Sequence, residues 1–253
     1  MRMVLSWSFR RKLLYTGVTL LLAFGVSAYV WSAFFSGAPT CFDGRKNGQE
    51  VGVDCGGACA RICSPKPLRV LWARAFPTTS SSYTAAAYVQ NSNPGAAARR
   101  VHYVFQMYDD KNILVAQRDG VIDIPPVQTV PVVATAVSVG NRAISRTQFS
   151  IDDTYPIEWV SIDKASVPNL RVSAQELTAD ATRLTATIEN SSYIDASQVL
   201  VVAILFDREG VARAASTSRV PVIRKQSTAD VVFTWPQKQE GIVRTELTLL
   251  PSF

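Results

Sequence analysis

The 253-residue chain has room for one large domain or two small ones, since single cores are usually built from about 100–150 residues. Its 26 basic and 20 acidic side chains give a formal charge of +6, but Arg2, Arg10, Arg11 and Lys12 all fall in the first twelve residues, where there is no acidic group. The remainder holds 22 basic against 20 acidic groups, a net of only +2. The charge therefore gives no support for a nucleic-acid surface, which needs clustered Lys and Arg on the folded part.

From Leu13 to Phe35 the sequence reads LLYTGVTLLLAFGVSAYVWSAFF, 23 residues without a charge. About 20 suffice to cross a bilayer core of about 30 Å. A membrane-spanning helix is expected over residues 13–35, behind a cytoplasmic stub of residues 1–12, because basic residues flanking a span stay on the inner side. Everything beyond Phe35 is then extracytoplasmic. Tyr29, Trp31, Phe34 and Phe35 gather at the outer end, where aromatic rings favour the headgroup boundary. The competing reading is a cleaved signal peptide, with residues 13–24 as its apolar region and Val26-Ser27-Ala28 as the cleavage site. The apolar run continues past that site, as a retained anchor does. Ala38-Pro39-Thr40, ahead of Cys41, lacks the branched aliphatic residue of a lipoprotein signal.

Residues 39–65 form a cysteine-rich module that includes CFDGRKNGQEVGVDCGGACARIC. Cys41, Cys55, Cys59 and Cys63 follow a C-x13-C-x3-C-x3-C spacing, without the C-x2-C knuckles or the neighbouring histidine of a structural zinc site. A thioredoxin-type C-x-x-C is also missing. In an oxidising compartment the four thiols are expected to form two disulfides, and all three connectivities stay open. Phe42, Val51, Val53 and Ile62 are the main apolar side chains, too few for a core. Crosslinks of about 2–4 kcal/mol each would replace it.

Between the cysteines, Asp43, Asn47, Glu50 and Asp54 recur every three or four residues among glycines, as oxygen ligands of a hard cation do. Calcium is the expected ion. The alternative is that Asp43-Gly44 and Asn47-Gly48 are turns whose side chains cap backbone groups. The spacing differs from an EF-hand. The pattern C-x-D-G-x-x-N-G-x-E-x-G-x-D-C-G-G-x-C resembles a short cysteine-rich module of secreted and surface proteins.

After Ser64-Pro65-Lys66-Pro67, read as a short linker, the texture turns to strands. Runs at 68–76, 83–91, 99–109, 113–119, 130–139 and 146–151 are rich in β-formers and separated by turn residues, which predicts an antiparallel β-sandwich. The second half repeats the first. Asn91 aligns with Asn190 at an offset of 99; after a one-residue gap Tyr108 aligns with Phe206, Asp109 with Asp207 and Gln128 with Gln226 at 98. The fold class expected is mainly β, with two tandem antiparallel β-sandwiches, residues 66–155 and 156–253, behind the helix and the module. Phe105, Tyr108 and Phe206 are expected to pack in cores, and Asp109 and Asp207 to form hairpin turns. The apolar run from Val199 to Phe206 predicts a strand covered on both faces.

Phe105-Gln106-Met107-Tyr108-Asp109 matches an F-x-[LM]-Y-D signature, and Ala203-Ile204-Leu205-Phe206-Asp207 is a degraded copy. The chain thus resembles FxLYD-type domains, small immunoglobulin-like sandwiches akin to late-embryogenesis-type β domains in bacterial envelope proteins. The resemblance implies architecture and location, and no shared catalytic site.

No GxSxG, phosphate-loop or dinucleotide fingerprint occurs, the single histidine, His102, lies in an expected strand, and Asp152-Asp153 read as an interdomain turn. No enzyme is expected. The function read from the sequence is a membrane-anchored extracytoplasmic binding or scaffolding protein with a protein partner. The alternative is an accessory or sensor subunit of a membrane complex, with Gly17, Gly25 and Ser27 allowing close helix packing.

Overall fold

The computed structural model describes residues 7–35, 40–162 and 167–252, and side-chain exposure outside 32–35. Arg2, the start of the module at residue 39, and the side chains of Phe34 and Phe35 lie outside these. The chain divides into two compact units, Met1–Ala58 and Cys59–Phe253.

In the first unit, α1 (Trp7–Phe35) starts six residues before the expected boundary. Arg10, Arg11 and Lys12 are good helix formers and carry the helix through the basic flank. The Arg11 guanidinium lies 4.3 Å over the Trp7 ring. Trp7–Trp31 is long and apolar enough to cross a membrane, and none of it is buried within the chain. The hydroxyls of Thr16 and Thr19 donate to the carbonyls of Lys12 and Tyr15, both at 2.8 Å, which satisfies them on an apolar surface.

The second unit is built of strands. In chain order these are β1 (Arg69–Pro77), β2 (Ser82–Asn91), β3 (Ala96–Tyr108), β4 (Leu114–Ile124), β5 (Gln128–Ser138), β6 (Arg146–Ile151) and β7 (Glu158–Ser161). There follow β8 (Leu170–Leu177), β9 (Arg183–Asn190), β10 (Ala196–Asp207), β11 (Ala212–Ile223), β12 (Ser227–Thr234) and β13 (Ile242–Leu250). The six expected runs are β1 to β6. Four antiparallel sheets result: β1-β2-β5, β4-β3-β6 with β7 also on β3, β12-β9-β8 and β11-β10-β13. The second half therefore reproduces the strand order of the first, and the chain is mainly β, two antiparallel sandwiches in tandem.

Alternation sets each sandwich. On β3, Val101, Tyr103, Phe105 and Met107 are buried while His102, Val104, Gln106 and Tyr108 point the other way. Tyr103, Phe105 and Phe149 form an aromatic cluster with centroids 4.8–5.7 Å apart. Gly120, opposite Tyr103 on β4, leaves room for its phenol; a Cβ there would lie within 2.4 Å of the hydroxyl oxygen. Asn91 and Asn190, both buried, do more than end a strand. Asn91 Nδ2 donates to the carbonyls of Ala96 (2.8 Å) and Pro125 (2.9 Å), and Asn190 Nδ2 to those of Ile194 (2.9 Å) and Ile223 (3.1 Å). In both copies one amide ties the turn after the second strand to the end of the fourth.

The two sandwiches meet face to face. Val199, Val201, Ala203 and Leu205 of β10 enter the core of the second sandwich, while Val202, Ile204 and Phe206 join a cluster with Ala85, Ala86, Ala87 and Tyr88 of β2. The run expected to be covered on both faces is so covered, and its outer cover is the first sandwich. On β2 the side chains of Thr84, Ala86 and Tyr88 alternate toward the second sandwich, and Ala86 is short enough to leave room for the larger aliphatic residues of β10. At one margin the Tyr88 hydroxyl donates to Glu246 Oε1, and Glu246 Oε2 accepts from Arg244 at 2.9 Å. Burial, and then the Glu246 carboxylate, push the Tyr88 phenol upward.

Several expectations are corrected here. Tyr108 is not a core residue: it lies on the outer face of β3 with the Arg146 guanidinium 4.3 Å over its ring. Phe206 is under Arg244 at 4.0 Å in the same way, but buried, because the first sandwich covers that face. Asp152-Asp153 are not an interdomain turn, and the boundary at 155/156 moves, because β7 returns to pair with the start of β3. Residues 59–65 belong to the second unit, since the Ser161 amide donates to the Ala60 carbonyl and Arg61 bridges Val160. Lys66 is no loose linker; its amide donates to Asn93 Oδ1 (2.7 Å) and its carbonyl accepts from Asn93 Nδ2 (2.8 Å). Gln226 is equivalent to Val127 rather than Gln128, both holding positive φ (51° each) at the same turn.

Asp109 and Asp207 form the hairpin turns as expected. Asp109 Oδ1 accepts from the amides of Ile113 (2.9 Å) and Lys111 (3.0 Å), which hold its carboxyl below the usual range with help from Arg142. For Asp207, burial acts upward, but the Val211 amide and the Arg213 guanidinium outweigh it and the net direction is down.

Replacing Ala86 by Leu inserts extra volume between the sheets and is expected to cost about 1–3 kcal/mol, read as a lower denaturant midpoint. A folded-state carboxyl below its unfolded value near 3.9 stabilises above that value, and the gain is lost as pH falls through the folded value. The melting temperature should thus hold steady on this account from pH 7 to about 5 and fall below about 4. Asp109→Asn with Asp207→Asn should flatten that fall.

Candidate functional site

The singled-out residues of the first unit occupy a segment of turns, 40–58, with one isolated bridge between Gly52 and Cys55. The amides of Val51 and Gly52 both donate to the Cys55 carbonyl at 3.1 Å. Gly57 is indispensable here: its φ is +62°, and a Cβ would stand 1.8 Å from the Gln49 carbonyl oxygen. Asp54 also holds a positive φ of 52°, which an aspartate tolerates better than most residues.

Asp43, Asn47, Glu50 and Asp54 are brought together through their hydrogen bonds. Asp54 accepts from the amides of Asp43 (2.9 Å) and Gly44 (2.9 and 3.1 Å), closing a loop between residues eleven positions apart. Asp43 accepts from the Arg45 amide (2.9 Å) and from Asn47 Nδ2 (2.7 Å). The Asn47 side chain first, and then the Arg45 amide, hold the Asp43 carboxyl below the usual range. Glu50 Oε2 accepts from the amides of Asn47 (3.2 Å) and Asp54 (3.3 Å). Each carboxylate therefore receives two or more N–H groups, which is what a turn-shaping role requires. Asn47 Oδ1 is the exception, a buried oxygen without a hydrogen-bond partner.

Cys41, Cys55, Cys59 and Cys63 are all disulfide-bonded and no cysteine is free. These crosslinks constrain a segment with almost no apolar interior. Cys59 is itself buried in the second unit.

Elsewhere in the second unit, the His102 ring stacks on Tyr155 with centroids 4.0 Å apart. Its carbonyl accepts from the Asp152 amide at 2.9 Å. Sequence reasoning missed Asn93, which is buried and joins the Lys66 backbone to Asn91 through a 3.0 Å bond. Its signal was available in the repeat, where Ser192 occupies the equivalent place and also bonds Asn190.

No family model matches the chain, and no curated protein matches it. Among solved structures, red sea bream transglutaminase aligns at 10% identity and a TM-score of 0.26, over 74% of this chain and 29% of that one. The calcium-binding domain CBD12 of CALX1.1 aligns at 11% identity and a TM-score of 0.18, over 60% of this chain and 68% of that one. This chain thus spans less than a third of the transglutaminase, and neither likeness transfers a site.

Gly57→Ala should prevent the loop from closing, because the added methyl meets backbone rather than a flexible side chain. Peptide mass mapping without reductant should then find mixed cysteine pairings where the unaltered protein gives a single set.

Proposed function

We propose that the chain is a non-catalytic, single-pass envelope protein, with its N-terminus in the cytoplasm and its sandwiches outside, that binds or scaffolds another protein. The apolar helix, the basic residues before it and the oxidised cysteines support the location. The resemblance of the Phe105–Asp109 strand end to FxLYD-type domains agrees with it.

The observation that carries the binding reading is the free edge at β12. It pairs only with β9, over eight residues with no register shift; β6 and β7 are also uninterrupted but pair over only six and four residues, and the pairings of β1, β4, β5, β8, β11 and β13 each carry at least one shift. Irregularities blunt sheet edges against strand addition, and β12 lacks one. An extended segment of a partner would add its own strand there. Thr228→Lys with Val232→Lys, both at exposed positions, should remove a cross-linked complex formed in native membranes while leaving the melting temperature unchanged. A complex that survives the pair contradicts this mode.

The accessory-subunit reading is favoured by Gly17 and Gly25, where an added Cβ would meet nothing within 4 Å, so α1 offers a bare surface to a second helix. Exchanging residues 13–35 for an unrelated span should leave the complex intact if β12 carries binding, and abolish it if the helix does.

For Asp43, Asn47, Glu50 and Asp54, a calcium-holding role is favoured by the unpartnered Oδ1 of Asn47, a residue whose amide groups donate to the Asp43 and Glu50 carboxylates. Calorimetric titration of the oxidised protein decides it: heat and a raised melting temperature at millimolar calcium support the role, and neither being seen leaves the residues as turn closers.

A further inference from the structure

The loop after α1 displays three large apolar side chains that its own turns leave uncovered: Phe42 is 92% exposed, Val51 65% and Val53 53%. They belong to one small closure. The Asp54 carboxylate grips the amides of Asp43 and Gly44, so the backbone next to Phe42 is held to the residue after Val53. Val51 is drawn into the same knot through the hydrogen bond its N–H donates to the Cys55 carbonyl. The loop's three carboxylates accept backbone amides, while Arg45 and Lys46 stand exposed. An isolated exposed aliphatic residue is ordinary, but two in one small closure with an almost wholly bare phenylalanine mark a contact surface.

Chain length states what that surface meets. Five Cα steps separate Phe35, the last residue of α1, from Thr40, a reach of at most about 18 Å, and Phe42 lies about 7 Å of chain further. The headgroup layer outside the hydrocarbon is roughly 5–8 Å thick. On a retained span this tether keeps Phe42 within about 25 Å of the helix end, close enough to reach the headgroup layer.

We propose that Phe42, Val51 and Val53 insert at the outer headgroup boundary of the membrane that α1 crosses, with Arg45 and Lys46 directed to lipid phosphates, so that the loop rests on the bilayer. Apolar insertion with flanking cations is the general mode by which small surfaces adhere to lipid. The proposal rests on α1 being a retained span, as proposed above. It assigns the exposed apolar residues a role that disulfide stapling alone does not.

The test is photo-crosslinking of the full-length oxidised protein in vesicles of phosphatidylethanolamine and phosphatidylglycerol, with p-benzoylphenylalanine placed in turn at positions 22, 42 and 51. Peptide mapping without reductant confirms that each variant keeps the native cysteine pairing. Lipid adducts at all three positions are expected. Adducts at 22 with none at 42 and 51 overturn the proposal and leave the span standing. Adducts to protein alone at 42 and 51 also overturn it, in favour of a protein partner at this surface. No adduct at 22 removes the span reading and the proposal with it.

Discussion

The packing of the β1-β2-β5 sheet against the β11-β10-β13 sheet is the contact on which the architecture depends. Two sandwiches joined only by a linker would move independently; here one cluster contains Ala86 and Tyr88 from the first and Val202, Ile204 and Phe206 from the second. The short side chain of Ala86 beside Tyr88 on one side, and branched or aromatic residues on the other, make the layers complementary in shape. The consequence is a stack of four sheets, so that an edge such as β12 is presented from a rigid body.

The repeats stack in the same sense rather than back to back about a two-fold axis, because the sheet of β1-β2-β5 meets the sheet of β11-β10-β13, which is the counterpart of β4-β3-β6. Such a contact leaves an unused face at each end and would propagate if those faces were alike. They are not. The places of Thr84, Ala86 and Tyr88 are taken in the second copy by Arg183, Thr185 and Thr187, and those of Ile204 and Phe206 in the first by Gln106 and Tyr108. The polar outer faces end the array at two, as capping repeats do. The aromatic residue at the end of the signature strand keeps one partner in both copies, an arginine from the last strand: Arg146 over Tyr108 and Arg244 over Phe206.

What the sequence disclosed follows from this physics. Strand content and the repeat were legible because alternation and the Asn91/Asn190 match are local features. The face-to-face contact was only hinted at by the unbroken apolar run at Val199–Phe206; an alanine such as Ala86 on the opposing face is equally at home in many settings. Tyr108 misled because an aromatic in a strand packs inward more often than it stacks under an arginine. β7 went unseen since four residues carry too little pattern to register. In the cysteine module the difficulty is chemical: Asp43, Asn47, Glu50 and Asp54 are the residue types that both cap amides and bind hard cations, so spacing alone left both roles open. The structure accounts for the carboxylates through hydrogen bonds from backbone N–H groups and leaves Asn47 Oδ1 over.

The central claim is that the two copies form one cooperative body. Native-state hydrogen exchange, followed amide by amide on β2, β3, β9 and β10, measures it most directly. The account expects the slowest amides of both copies to share one opening free energy, equal to that of global unfolding. Two distinct values, one for the amides of β2 and β3 and another for those of β9 and β10, would contradict it.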